Sequence, residues 1–289
     1  MTQLRTDLAL EAHEISRGRA AELPGAATRT RERNGIPVTE VAVTTQEAAR
    51  ALGKPVGVYV TLDLGARPAA EAAARALGAE LRALVGGSVR RALVVGLGNA
   101  AMTPDALGPL AAERVLVTRH LRGEPALAGL AAVSALTPGV LGRTGLEAAE
   151  LVRAAAEAAE PDVIVAVDAL AARALARVCT TVQLTDAGVV PGSGVGNRRA
   201  ALNRETLGVP VIAVGAPTVV DAATLARDVL AEAGAPTVES AALRGSAGVF
   251  VTTRDVDAQV RALAGIVAMG VNLALHPLDY DDLRALTEG

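Results

Sequence analysis

The 289-residue sequence predicts an α/β protein, a mainly parallel twisted sheet with helices on both faces. Three observations lead there. Apolar runs such as Leu93–Leu97 and Val163–Val167 lack polar alternation, as strands covered on both faces require. Ala- and Leu-rich stretches of helical length separate the runs. Hydrophobic residues are 51% of the chain and aromatics 1%, so a sizeable core must be built from Ala, Val and Leu.

The elements follow in order. Residues 1–35 are polar and Arg-rich and read as a mobile N-terminal arm, with Arg17, Arg19, Arg29, Arg31 and Arg33 as a solvated basic run. Val38–Val43 alternates as a strand, and Gly57–Leu62 is a second. A helix spans Pro68 to Leu84. Leu93–Leu97 is a buried strand, and a helix begins at Pro104, with Thr103 suited to the N-cap and proline to the first helical position. Arg114–Thr118 is a short strand. Glu147–Ala159 is a helix, Val163–Val167 a buried strand and Ala169–Arg177 a helix. The strand Thr180–Leu184 leads into the glycine-rich loop Gly188–Gly196. Val209–Val214 is a strand, a helix starts at Thr218, and Val256–Leu275 is a final amphipathic helix. No repeat or long linker divides the chain, so residues 1–289 are expected to form one domain.

Composition removes several functions. A net charge of −3 with one Phe, two Tyr and no Trp suits neither phosphate neutralisation nor base stacking. The single cysteine, Cys179, has no internal partner and reads as a small buried residue in a reducing compartment. No apolar leader opens the chain, and charges or glycines interrupt every long apolar run; a cytoplasmic protein is expected. His13, His120 and His276 lack ligand spacing, so neither metal nor cofactor is expected. An Asp-only Mg²⁺ site from Asp105, Asp168 and Asp221 is the alternative.

Two aspartates carry the chemistry. Asp105 follows the strand Leu93–Leu97 and Gly96-Leu-Gly-Asn99; Asp168 follows Val163–Val167. Each also reads as a helix-terminal carboxylate that complements the dipole. Carboxyl ends of parallel strands are where ligands bind in open α/β sheets. Two carboxylates meeting there supply an acid and a base at one pH, as amide hydrolysis requires. Asp105 is read as the base and Asp168 as its partner, with the reverse also open. The loop with Asp186, Gly192, Ser193, Gly194 and Asn197 matches no P-loop and is read, with Asn99, as lining for an extended peptide. Ser193 lacks the context of a nucleophile elbow.

These residues also carry a family resemblance. Arg5-Thr-Asp-Leu-Ala9, Gly96-Leu-Gly-Asn99, Thr103-Pro-Asp-Ala-Leu-Gly-Pro109, Val117-Thr-Arg-His-Leu121 and Thr137-Pro-Gly-Val140 are followed by Val167-Asp-Ala-Leu-Ala-Ala-Arg173 and Pro191-Gly-Ser-Gly-Val-Gly-Asn197. Glu205-Thr-Leu-Gly208, Gly215-Ala-Pro-Thr-Val-Val-Asp221 and Gly270-Val-Asn-Leu-Ala-Leu-His276 complete the series. Together they resemble the germination proteases of spore-forming bacteria. The resemblance implies an atypical aspartic endopeptidase that degrades small acid-soluble spore proteins in the spore core. It implies catalytic aspartates at Asp105 and Asp168, a fold like that of hydrogenase-maturation peptidases, and a homotetramer. It also implies a zymogen that cleaves itself; here cleavage between Asp7 and Leu8 would release a very short propeptide. The region between the helix after Asp221 and the last helix is shorter than usual in the family. The alternatives are a hydrogenase-maturation-like peptidase and an inactive binding or scaffold homologue.

Overall fold

A computed structural model describes residues 5–17, 23–127, 129–191, 200–235 and 248–288. The elements are α1 (Ala9–Arg17), β1 (Ala26–Arg33), β2 (Ile36–Val43), α2 (Gln46–Leu52), β3 (Gly57–Asp63), α3 (Ala70–Val85), β4 (Arg91–Gly96), α4 (Leu107–Ala112) and β5 (Ala132–Leu136). There follow α5 (Leu141–Thr144), α6 (Ala148–Ala159), β6 (Val163–Ala172), β7 (Thr181–Thr185), α7 (Arg204–Leu207), β8 (Val211–Asp221), α8 (Ala222–Glu232), β9 (Phe250–Val251), α9 (Val256–Leu275) and α10 (Tyr280–Glu288).

Helices cover both faces of one sheet in the order β1-β2-β3-β7-β8-β6-β4-β5, with β9 on β8. One half is parallel: β5, β4, β6 and β8 run in one direction. The other half is antiparallel through β7, β3, β2 and β1. The sheet is therefore mixed rather than mainly parallel. Short connections such as Asn34-Gly35 between β1 and β2 force antiparallel pairing, while parallel neighbours need a crossover.

The strands of the parallel half are apolar on both sides because both sides are covered. Val163, Val165 and Val167 point into a core shared with α3, α4 and α9. Ile164 and Ala166 point into a second core with Ala148, Ala149 and Val152 of α6. A smaller cluster packs α1 and α2 on β2 and β3. Helix α9 is long and apolar enough to cross a membrane by length and composition, but Leu263, Val267, Val271 and most of its other apolar residues are buried inside the protein.

Several expectations change. Within residues 1–35, the described parts belong to the fold. Leu8 and Ala9 are fully buried, β1 pairs along all of β2, and Arg31 and Arg33 bind the buried Glu80 of α3. Polarity read as a mobile arm; it is the charged edge of a sheet. Arg114–Thr118 is not a strand. Its backbone bonds go elsewhere, Leu116 N–H to the Asn272 side chain and Thr118 N–H to Val133, and β5 takes the place beside β4. Ala169–Arg177 is not a helix, since β6 continues to Ala172 alongside β8, which itself runs to Asp221 rather than ending before a helix at Thr218. Alanine favours helix only weakly, and strand pairing overrides it.

Candidate active site

The chain leaves β4 for β5 on one side and returns through α6 to β6 on the other side of β4. The order reverses there, and in open α/β sheets such a switch point is where a crevice for ligands opens. Both aspartates come from this switch point. β4 and β6 are hydrogen-bonded neighbours with Gly96 opposite Val167, the residue before Asp168.

Asp105 is not in the first turn of an α-helix. It closes a 3₁₀ turn, Thr103–Asp105, and α4 begins at Leu107. No side-chain bond from Thr103 caps the turn, because Met102 holds the cap position. The Asp105 carboxylate folds back on the loop after β4: its Oδ2 accepts the Asn99 N–H at 2.8 Å. The Asp105 N–H donates to Met102 O at 2.8 Å. Asn99 helps to shape this loop, its side-chain oxygen accepting the Ala101 N–H at 3.1 Å.

Two glycines make the turn possible. Gly98 has φ +112, and a Cβ there would stand 2.1 Å from the Asp105 carbonyl oxygen. Gly108 lets α4 lie on the strand ends; its Cβ would meet the carbonyls of Leu97 and Val167 at 2.3 and 2.4 Å. The sequence reading took the glycines near Asn99 as room for another backbone, and that backbone is the chain's own.

Asp168 caps no helix either. It lies inside β6, opposite Gly215 of β8, and is 9% exposed. Its Oδ1 accepts the Ala169 N–H at 2.9 Å. Strand alternation continues Ile164 and Ala166 to Asp168, on the α6 face. The stem of the glycine-rich loop lies over that face too: Val189 pairs with Leu202, which is buried among Leu97, Ile164 and Ala166. Gly192, Ser193, Gly194 and Asn197 lie outside the described residues.

Asp186 belongs elsewhere. β7 runs antiparallel to β8, so its end points away from the strand ends of the crevice. The Asp186 carboxylate accepts the Val58 N–H at 2.7 Å at the start of β3. That bond joins the end of β7 to β3, away from the ends of β4 and β6 where the two aspartates stand. Asp221 is likewise engaged, capping α8 through the N–H and hydroxyl of Thr224. Among the described residues no group of three His, Cys, Asp or Glu could hold a metal ion. Cys179 is buried, and burial pushes its thiol up to about 11.

The N-terminal segment docks just beyond Asp168. Asp7 N–H donates to Ala171 O at 2.8 Å, and Ala171 N–H returns a 2.8 Å bond to the Asp7 carboxylate. The buried Glu11 accepts the N–H groups of Arg173 and Ala174 at 2.7 and 3.0 Å. Gln183 brackets the segment, accepting from Ala9 N–H and donating to Asp7 O. Lys54 donates to Thr6 O at 3.0 Å; burial lowers its pKa, while Asp7 and Glu11 oppose that shift. Glu11, Gln183 and Lys54 were missed by sequence reasoning, for none stands in a motif and their partners are up to 176 residues away.

Comparison with known proteins identifies the family. The family model described as germination protease matches residues 5–232. A germination protease of Caldanaerobacter subterraneus subsp. tengcongensis is 39% identical over 95% of this chain and 94% of its own. That of Clostridium tetani is 38% identical over 98% of each chain. That of Bacillus velezensis is 46% identical over 78% of this chain and 65% of its own. Among solved structures, the [NiFe] hydrogenase maturation protease HycI of Thermococcus kodakarensis KOD1 aligns with 66% of this chain and 98% of its own, at 21% identity and a TM-score of 0.38. By the extent of the family match and the identity to these relatives, the chain belongs to the germination protease family.

Proposed function

We propose that the chain is an endopeptidase that degrades small acid-soluble spore proteins during germination, using Asp105 and Asp168 to activate water. The observation that carries the mechanism is their delivery to one switch point by adjacent parallel strands. Two carboxylates in one crevice divide the work. The ionised one takes a proton from water as the water attacks the scissile carbonyl; the protonated one gives its proton to the leaving amine. Asp105 is the base in this reading and Asp168 the proton donor. The glycine-rich loop supplies the substrate lining in this reading.

The same reading includes processing between Asp7 and Leu8, a homotetramer and a place in the cytoplasm of the developing spore. Leu8 is fully buried and Asp7 is bonded to β6, so processing requires this segment to lift off the strand. The test is incubation of the full chain with a purified small acid-soluble spore protein, with mass spectrometry of the products. Asp105→Asn and Asp168→Asn are each expected to lower the rate by about 10²–10⁴-fold with an unchanged circular dichroism spectrum. Wild-type turnover in either variant removes that aspartate from the mechanism. Light scattering and intact mass on the same sample check the tetramer and the loss of residues 1–7; a monomer or an uncut active chain overturns that part.

A further inference from the structure

The ladder between β6 and β8 is regular from Ile164 opposite Val211 to Leu170 opposite Pro217. It then slips by one residue: Ala171 stands opposite Val219, and Thr218 has no partner. Thr218 is therefore the extra residue of a β-bulge. Bulges occur beside active sites, where they re-aim one side chain out of the strand's alternation. Proline fits beside it, because Pro217 has no N–H to offer the ladder. Its carbonyl is used, accepting the Cys179 N–H at 2.7 Å.

The re-aimed side chain has a specific target. Thr218 is 1% exposed, and its hydroxyl donates to Pro104 O at 2.6 Å. That carbonyl belongs to the peptide group whose nitrogen is Asp105 N. The bond thus ties the turn carrying Asp105 to β8, the strand beside the one carrying Asp168. The bulge is itself held, since Thr252 Oγ1 donates to Thr218 O at 2.7 Å.

We propose that Thr218 is a positioning residue, whose bulge-directed hydroxyl sets the Asp105 turn relative to Asp168. This rests on the reading of both aspartates as catalytic. Thr218→Val keeps the shape and loses the donor; Thr218→Ser keeps the donor. The reaction is sensitive to such a change, because a displacement of about 1 Å can cost about 10²-fold in rate. With the full chain and a spore-protein substrate, Thr218→Val is expected to lower kcat about 10- to 100-fold with KM within about twofold of wild type. Thr218→Ser is expected to keep at least about half of kcat, because it retains the hydrogen bond. Amide exchange over residues 99–106 should rise in Thr218→Val while that of β6 stays as in wild type. If Thr218→Val does not fold, Thr218→Ala is compared with Thr218→Ser in the same assays.

A wild-type kcat in the variant lacking the hydroxyl overturns the proposal. So does equal loss in the serine variant, or loss confined to KM. Asp105→Asn and Asp168→Asn are run beside them. If those are inactive while Thr218→Val turns over normally, only the role of Thr218 falls. If those remain active, the catalytic reading falls first.

Discussion

Asp105 stands on the turn after β4 and Asp168 within the neighbouring strand β6, and the two are held by different means. Asp168 is part of a ladder; its backbone is paired with β8, and the residue before it with β4. Asp105 stands on a loop, where its place depends on the Asn99 amide, the absence of a side chain at Gly98 and the Thr218 hydroxyl. A ladder spreads the fixing of a residue over many backbone bonds, so one side-chain change leaves it in place. A loop concentrates it in a few contacts. A site built from one carboxylate of each kind should be fragile on the Asp105 side and robust on the Asp168 side.

The sharpest way to break this contrast is Gly98→Ala. The new methyl would meet the Asp105 carbonyl oxygen at 2.1 Å, on a backbone at φ +112. The turn must move, and kcat is expected to fall about 10²-fold. Urea unfolding should show a loss of about 1–3 kcal/mol, the usual cost of a strained backbone conformation. Normal turnover would show that Asp105 is not held as described.

Glu11→Ala probes the other side. It strips the partner from the Arg173 and Ala174 amides just beyond Asp168, while Arg177 loses one carboxylate and keeps Glu14. The unsatisfied groups should cost about 1–3 kcal/mol in urea unfolding. Residues 5–11 should become susceptible to proteolysis. Turnover should change little, because the ladder holds Asp168; a large loss of kcat would erase the contrast.

The smallest effect concerns the chain that follows α4. His276 is 2% exposed and contacts Leu116 O through Nε2 at 3.2 Å. A carbonyl only accepts, so Nε2 carries the proton and Nδ1 is left as a buried acceptor with no partner. Burial lowers the His276 pKa below its ordinary 6.5, against an upward pull from the Leu116 carbonyl. The unfolded chain therefore takes up the proton first as pH falls. The stability that this difference contributes is complete above about pH 6.5 and is lost below it. Thermal melts from pH 7.5 to 5 should show a shallower decline for His276→Gln. Part of the slope should remain, because burial lowers His13 as well. An unchanged slope would show that His276 does not titrate with unfolding.

Much of the parallel half was legible. Leu93–Leu97 and Val163–Val167 are apolar on both sides because both sides are covered, and that is a property of the residues themselves. Asp105 and Asp168 were singled out because each follows such a run. Their local settings were not legible. Ala169–Ala172 has helical composition, and only β8 alongside makes it strand. Asp186 stood in a glycine-rich loop that looked functional, but the antiparallel course of β7 carries it to Val58. Thr218 looked like a helix start, because a bulge depends on the count of residues in two strands at once.

The sequence by itself determined the α/β class, the aliphatic core and, through its ordered motifs, the family; it also singled out the two aspartates. These depend on residue type and short spacing, which a linear chain displays. The tertiary structure alone decided that the sheet is half antiparallel, that β4 and β6 are neighbours, and that residues 5–11 dock along β6. It also decided that a bulged threonine on β8 holds the turn of Asp105. The partners in these contacts are far apart in the chain, 114 residues from Pro104 to Thr218, and no local preference encodes a pairing at that distance.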